Sequence, residues 1–176
     1  VGTKLLLRGE STLTYETGGP RLLAKRALIG GLVRASDALL FIGEDNRRFY
    51  EAYGAKPRQL FFSPYSVDNA YFAQRGEQAR ETGARERLRQ SVGASEGDLL
   101  LLFVGKLVPR KRPLDVVAAL RLLPPNVVAA FVGDGEQRAE LEQAIKSSGV
   151  RATVVGFANQ SELPGWYVAA DLQVLP

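Results

Sequence analysis

Apolar and polar positions alternate in blocks along this chain. Four runs, Leu99 to Val104, Val127 to Val132, Thr153 to Val155 and Leu172 to Leu175, are almost wholly apolar, the pattern of parallel strands covered on both faces. Helical patterns separate them. Pro113 to Leu123 is stopped by Pro124 and Pro125, Glu136 to Ser147 stops near Gly149, and Glu162 to Ala170 precedes Asp171. Within Glu136 to Ser147, the positions Ala139, Leu141, Ala144 and Ile145 form a partial stripe that predicts one face on the sheet. An earlier series runs through Lys4 to Leu7, Arg21 to Val33, Ala38 to Ile42, Asp45 to Tyr53 and Gln59 to Phe62. After Val67 the chain turns polar. Ala79 to Ser91 carries Arg80, Arg85, Arg87 and Arg89 with Glu81 and Glu86 between them, a helical pattern of mixed sign that reads as structural rather than as a nucleic-acid arm. Alternating strands and helices with short turns predict an α/β fold of two doubly wound parallel sheets, divided into residues 1–70 and 71–176.

Composition narrows the chemistry. The 176 residues are 45% hydrophobic and carry a formal net charge of +4, which permits nucleic acid, anionic lipid or phosphorylated substrates as partners. Cysteine, histidine and methionine are absent, which removes disulfides, thiol nucleophiles, histidine bases and the usual zinc ligands. No stretch reaches the roughly 18 apolar residues of a membrane span and no signal-peptide pattern is present, so the expected location is cytoplasmic. The positive charge could still bring the parent protein to anionic lipid as a peripheral contact. Val1 lies close ahead of one predicted strand and Pro176 directly after another, so the chain reads as an excerpt of a longer protein.

Lys106, Arg110, Lys111 and Arg112 fall within seven residues directly after an apolar run and before the helix opened by Pro113. Each cation near a helix N-terminus costs about 0.3–1 kcal/mol, and no acidic residue lies between Asp98 and Asp115. A bound phosphate or diphosphate would resolve the conflict; a solvated basic loop is the plainer alternative. A second turn, Gly133-Asp134-Gly135, lets backbone approach a ligand closely, or is an ordinary βα turn in which Asp134 or Glu136 favours the helix start. A third, Gly156 to Leu163, offers Phe157 and several polar groups to a flat base, with Ser161 able to cap the next helix. All three turns follow strands of one predicted sheet and so share its carboxyl edge, where doubly wound folds bind ligands.

These stretches carry a family resemblance. FVGKLVPRKRP (Phe103 to Pro113), FVGDGEQRAEL (Phe131 to Leu141) and VVGFANQSELPGWYVAADLQVLP (Val154 to Pro176) resemble the C-terminal domain of the family 4 retaining glycosyltransferases, whose GT-B architecture sets two Rossmann-like domains across a cleft. SDALLFIGEDNRRFYEAYG (Ser36 to Gly54) and FFSPYSVDNAYF (Phe61 to Phe72) resemble the end of the N-terminal, acceptor-side domain and its crossing. The resemblance implies a fragment: the end of the first domain, and a donor-binding domain lacking its C-terminus. It implies transfer of a sugar from a UDP-, GDP- or ADP-sugar to a carbohydrate or lipid-linked acceptor, with retention, as in polysaccharide biosynthesis. Gly105, Lys106 and Lys111 are then the candidates for the donor diphosphate, and Gly133, Phe157, Ala158 and Leu163 for the nucleotide. Lys106 stands where relatives more often have arginine and loses the bidentate fork. Gly43 stands where many have serine, and Arg8-Gly9-Glu10-Ser11 where many have histidine, so acceptor contacts stay unassigned. Relatives continue beyond Pro176 into two glutamates eight residues apart that contact the donor sugar, and carry a glycine-rich acceptor loop before the position of Val1. No catalytic residue can therefore be named here, the isolated chain is expected to be inactive, and no metal or further cofactor is implied. The competing class is a non-catalytic nucleotide-binding α/β domain, against which stands the missing third glycine of a GxGxxG fingerprint after Gly133 and Gly135.

Overall fold

The computed structural model of the chain describes residues 2–14 and 18–176; Val1, named above, lies outside them. The chain divides into two compact units, Val1–Val67 and Asp68–Pro176, each built on one parallel sheet.

In the first unit, β1 (Leu6–Arg8), β2 (Ala38–Phe41) and β3 (Leu60–Phe62) pair in that order. α1 (Pro20–Ala35) and α2 (Glu44–Ala52) connect them. Pro20 suits the first helical position because its missing N–H has no intrahelical partner there, and Glu44 and Asp45 face the positive end of α2. Val33, Leu39, Phe49, Tyr50 and Tyr53 form the core, with the Phe49 and Tyr53 ring centroids 4.4 Å apart. Buried Asn46 ties the strand ends together: its Oδ1 accepts from the Ile42 N–H at 3.2 Å and its Nδ2 donates to the Ser11 carbonyl at 2.9 Å.

The second unit opens with α3 (Asn69–Glu81) and α4 (Ala84–Ser91). There follow β4 (Leu99–Val104), α5 (Pro113–Leu120), β5 (Val127–Val132), α6 (Arg138–Ser148), β6 (Ala152–Gly156), α7 (Leu163–Ala169) and β7 (Leu172–Gln173). Strand order is β6-β5-β4-β7, so the winding reverses between β4 and β7. The continuous apolar run of β5 is explained by its two faces. Val127, Ala129 and Phe131 join Val116, Val117, Leu120 and Leu141 of α5 and α6, while Val128, Ala130 and Val132 join Trp166 and Ala169 of α7. Every residue of β5 is buried, and two Rossmann-like parallel sheets are the architecture of the chain.

Ala79 to Ser91 is not one helix. Gly83 adopts φ 66° and separates α3 from α4, a left-handed conformation that stops a right-handed helix. The Asp68 side chain caps α3 by accepting from the Tyr71 N–H at 2.9 Å. The pattern through Leu123 also overshoots: α5 ends at Leu120, and Leu122 is exposed. α6 begins at Arg138, two residues after the pattern places it, and β7 is shorter than its apolar run.

Two charged clasps close the amino edge of this unit. Arg89, buried, donates to the Asp171 carboxylate and the Ala169 carbonyl at 2.8 Å and to the Asp98 carbonyl at 2.6 Å. Arg151 grips both oxygens of Asp98 at 2.7 and 2.9 Å, and the Ser95 N–H adds a third bond at 2.7 Å. The Arg151 hydrogen bond, then that of Ser95, pulls the Asp98 carboxyl down to about 2 from its ordinary 3.8. A depressed carboxyl stabilises the fold above its unfolded pKa and loses that contribution as pH falls through the folded value. Asp98→Asn should therefore be less stable than wild type above about pH 4, with the difference shrinking toward pH 2. Urea unfolding across that range checks it, and a difference that does not change with pH would contradict it.

Candidate functional site

The carboxyl ends of β4, β5 and β6 lead into three adjacent turns stitched together by main chain. The Gly105 N–H donates to the Val132 carbonyl at 3.0 Å and the Gly133 N–H to the Gly156 carbonyl at 2.7 Å. Leu107, fully buried, bridges the first two turns: its N–H donates to the Asp134 carbonyl at 3.0 Å and its carbonyl accepts from the Gln137 N–H at 2.9 Å. Such proximity dictates glycine. A Cβ at Gly133, whose φ is 149°, would overlap the Gly105 carbonyl oxygen, and one at Gly135 would overlap the Leu107 carbonyl oxygen. Both glycines of the GxG turn thus admit a neighbouring loop, a role that their spacing alone does not reveal.

A cavity of about 320 Å³ opens on these turns. The ends of β4 and β5 form its floor, Gly105 and Lys106 line it from the first turn, Gly133 and Asp134 from the second, and Phe157, Ala158 and Leu163 from the third. Of the seven residues selected from sequence, six line this one cavity. Lys111 does not. It lies in a single 3-10 turn, Pro109–Lys111, and is half-buried. Phe157 is 79% exposed, so its ring is free of the core, whereas Ala158 and Leu163 pack against it.

Charge around the first turn is unevenly satisfied. Arg112, the N-cap of α5, has φ 50° and pairs with Asp115 at 2.6 Å, so Asp115 in the first helical turn relieves part of the conflict that the cation count suggests. Among the described residues the side chains of Lys106, Arg110 and Lys111 have no hydrogen-bond or ion-pair partner. Positive charge beside open backbone at a strand end is suited to an anion.

Asp134 is the lining residue for which the sequence suggests only a role at the helix start. Its Oδ1 accepts from the Gly135 N–H at 2.8 Å and its Oδ2 from Arg138 at 3.1 Å. Arg138 also donates to Glu142 at 2.9 Å, and those two carboxylates, Glu142 foremost, hold its guanidinium more firmly charged than usual. A larger cavity, about 550 Å³, lies among α3, α4 and the start of α7, with Arg75, Arg87 and Trp166 in its wall; it contains no strand end. Among the described residues no three His, Cys, Asp or Glu side chains gather to hold a metal ion, and no helix is long and apolar enough to cross a membrane.

The family model described as "Glycosyl transferases group 1" matches residues 84–176. D-inositol 3-phosphate glycosyltransferase of Thermomonospora curvata is 32% identical, over 76% of this chain and 34% of its own length. 2-deoxystreptamine glucosyltransferase of Streptomyces kanamyceticus is 32% identical, over 52% of this chain and 25% of its own. Among solved structures, HepE of Anabaena in complex with UDP and glucose superposes with a TM-score of 0.74 at 19% identity, over 98% of this chain and 46% of that one. WaaG, a glycosyltransferase involved in lipopolysaccharide biosynthesis, gives 0.71 at 22% identity, over 97% and 50%. The chain spans about a third of the length of the curated relatives that match most of it, and the two structures share its fold, of GT-B type.

Proposed function

Because this chain belongs to the group 1 glycosyl transferases, we propose that its parent protein moves a sugar from a nucleotide-sugar to a carbohydrate or lipid-linked acceptor with retention of configuration, and that residues 71–176 hold the donor. The observation that carries this reading is the cavity at the carboxyl edge of β4, β5 and β6, with Lys106, which has no partner among the described residues, at one side and exposed Phe157 at the other. A nucleoside diphosphate has the matching pair of chemistries, an anion and a flat base. The ammonium of Lys106 would meet charge developing on the departing diphosphate, a preorganised electrostatic contribution that grows as the glycosidic bond breaks. Lys111, outside the cavity lining, would act at longer range on the same anion. Phe157 would offer its ring to the base, and the main chain of Phe157 and Ala158 would supply polar contacts. The names of two relatives give D-inositol 3-phosphate and 2-deoxystreptamine, hydroxyl-bearing rings, which supports a hydroxyl group as the acceptor.

The experiment is to incubate the parent protein with UDP-, GDP- and ADP-glucose and a panel of sugar and polyol acceptors. Release of nucleoside diphosphate is followed, and the anomeric proton of the product is read by NMR. An α-linked product from an α-configured donor is expected. A β-linked product would reject retention, and no release from any donor would reject the reading as a whole.

A further inference from the structure

The cavity of about 550 Å³ among α3, α4 and the start of α7 has no lining residue in common with the cavity at the strand ends, and we propose that it binds a phosphate monoester of a small sugar or polyol. Trp166 carries the inference. It borders this cavity and is 5% exposed, yet its indole N–H has no hydrogen-bond partner among the described residues. A buried indole ordinarily donates to an acceptor, and an oxygen of a ligand in the cavity would supply one. The ring is held close to α4 by the residue before it. A Cβ at Gly165 would come within 3.1 Å of Leu88, so α7 lies directly against α4 at this point.

The rest of the wall offers donors to an anion and acceptors to hydroxyl groups. Arg75 donates to the Gln78 side chain at 3.1 Å and Arg87 to the Thr82 carbonyl at 2.8 Å. Neither guanidinium forms an ion pair among the described residues. Arginine has five N–H donors, so most of them are left for phosphate oxygens, whose geometry the guanidinium fork matches. The carboxylates nearest in sequence are engaged elsewhere: Glu77 pairs with Arg80 at 3.0 Å and Glu86 with Arg85 at 3.6 Å. Glu162, also in the wall, accepts from the Asn159 N–H at 2.8 Å. Two guanidiniums against one carboxylate suit a single phosphate group rather than a polyphosphate. The hydroxyls of the wall have the opposite polarity. Thr82 Oγ1 donates to the Gln78 carbonyl at 2.8 Å and Ser91 Oγ to the Leu88 carbonyl at 2.7 Å. With their protons committed, these oxygens are left to accept from the hydroxyls of a ligand, while Leu88 and Trp166 give its carbon skeleton an apolar surface.

Trp166 is the only tryptophan of the chain, so its fluorescence reports on this cavity. Titration of the chain with glucose 6-phosphate and glycerol 3-phosphate, followed by emission and by calorimetry in parallel, tests the inference, with glucose and inorganic phosphate as controls. A saturable change is expected with at least one ester. Glucose, which lacks the anion, should bind at least about ten-fold more weakly, and inorganic phosphate should bind more weakly than the ester. Arg75→Gln and Arg87→Gln, both at exposed positions, should each weaken the ester by about ten-fold, the worth of a hydrogen bond to a charged group. Circular dichroism of the two variants should match wild type. Lys106→Ala should leave the titration unchanged, and saturating UDP should not displace the ester. Absence of binding by both esters, affinity unaltered in both arginine variants, or displacement of the ester by UDP would overturn the site. Inorganic phosphate binding as tightly as either ester would overturn the sugar or polyol as part of its ligand.

Discussion

Alanine at Gly133 is expected to lower the stability of the chain by about 4 kcal/mol, of which overpacking supplies about 3 and a non-glycine residue in this backbone conformation about 1. The new methyl group would overlap the Gly105 carbonyl oxygen and lie 2.9 Å from its carbon. Neither atom can yield, because Gly105 is hydrogen-bonded through its own N–H to Val132 and lies two residues before the buried anchor Leu107. Relief requires the first two turns to part, which breaks the Leu107 bonds to Asp134 and Gln137 as well. Gly31 supplies the contrast: it lies inside α1, and a Cβ added there would meet nothing within 4 Å, so Gly31→Ala should raise stability by about 0.5–1 kcal/mol. Urea denaturation followed by circular dichroism, with linear extrapolation, measures both. Equal midpoints for Gly133→Ala and wild type would mean that the turns are not locked as described.

Removing the Lys106 ammonium is expected to weaken nucleoside diphosphate binding by about 30-fold, within the range for a hydrogen bond to a charged group. Lys111→Ala should cost less, because Lys111 is outside the cavity lining. The loss should be confined to phosphorylated ligands. Uridine, with no phosphate, should bind Lys106→Ala as it binds wild type, and the diphosphate affinity of wild type should fall with added salt more steeply than that of the variant. Calorimetry with UDP and uridine at two ionic strengths distinguishes these outcomes. Diphosphate affinity unchanged in both lysine variants would remove the anion from this turn.

Legibility from sequence follows locality. β4 and β5 have the bounds that their apolar runs predict, because continuous hydrophobicity closed by Gly105 and Gly133 needs no distant partner to interpret. α3 is different. Only Gly76 and Ala79 are buried along it, and small residues leave little hydrophobic periodicity to read. Gly76 instead lies where an added Cβ would come within 3.1 Å of Val168, a constraint that appears only once α7 is in place. Arg89 belongs, by sequence, to a mixed-charge helical pattern, yet it is buried because Asp171, 82 residues later, accepts a hydrogen bond from its guanidinium. At the site, the order of turns after strands is legible, and so are the residue types that line the cavity. The interlocking of Gly135 with Leu107 is not, since it depends on main chain from another turn. Asp134 draws no notice as a lining residue of the cavity because a carboxylate near a helix start has a sufficient local explanation.

The pairing of β4 with β7 has a consequence for how the chain is made. Asp171, which fastens the Leu100 N–H, follows it by 71 residues, and Leu101 and Leu102 find their β7 partners only there. During synthesis β4 and β5 can zip as soon as both emerge, but the opposite border of β4 stays an open template until Leu172 and Gln173 arrive. In that interval a second unfinished copy could add a strand of its own to the unpaired N–H and C=O groups of that border.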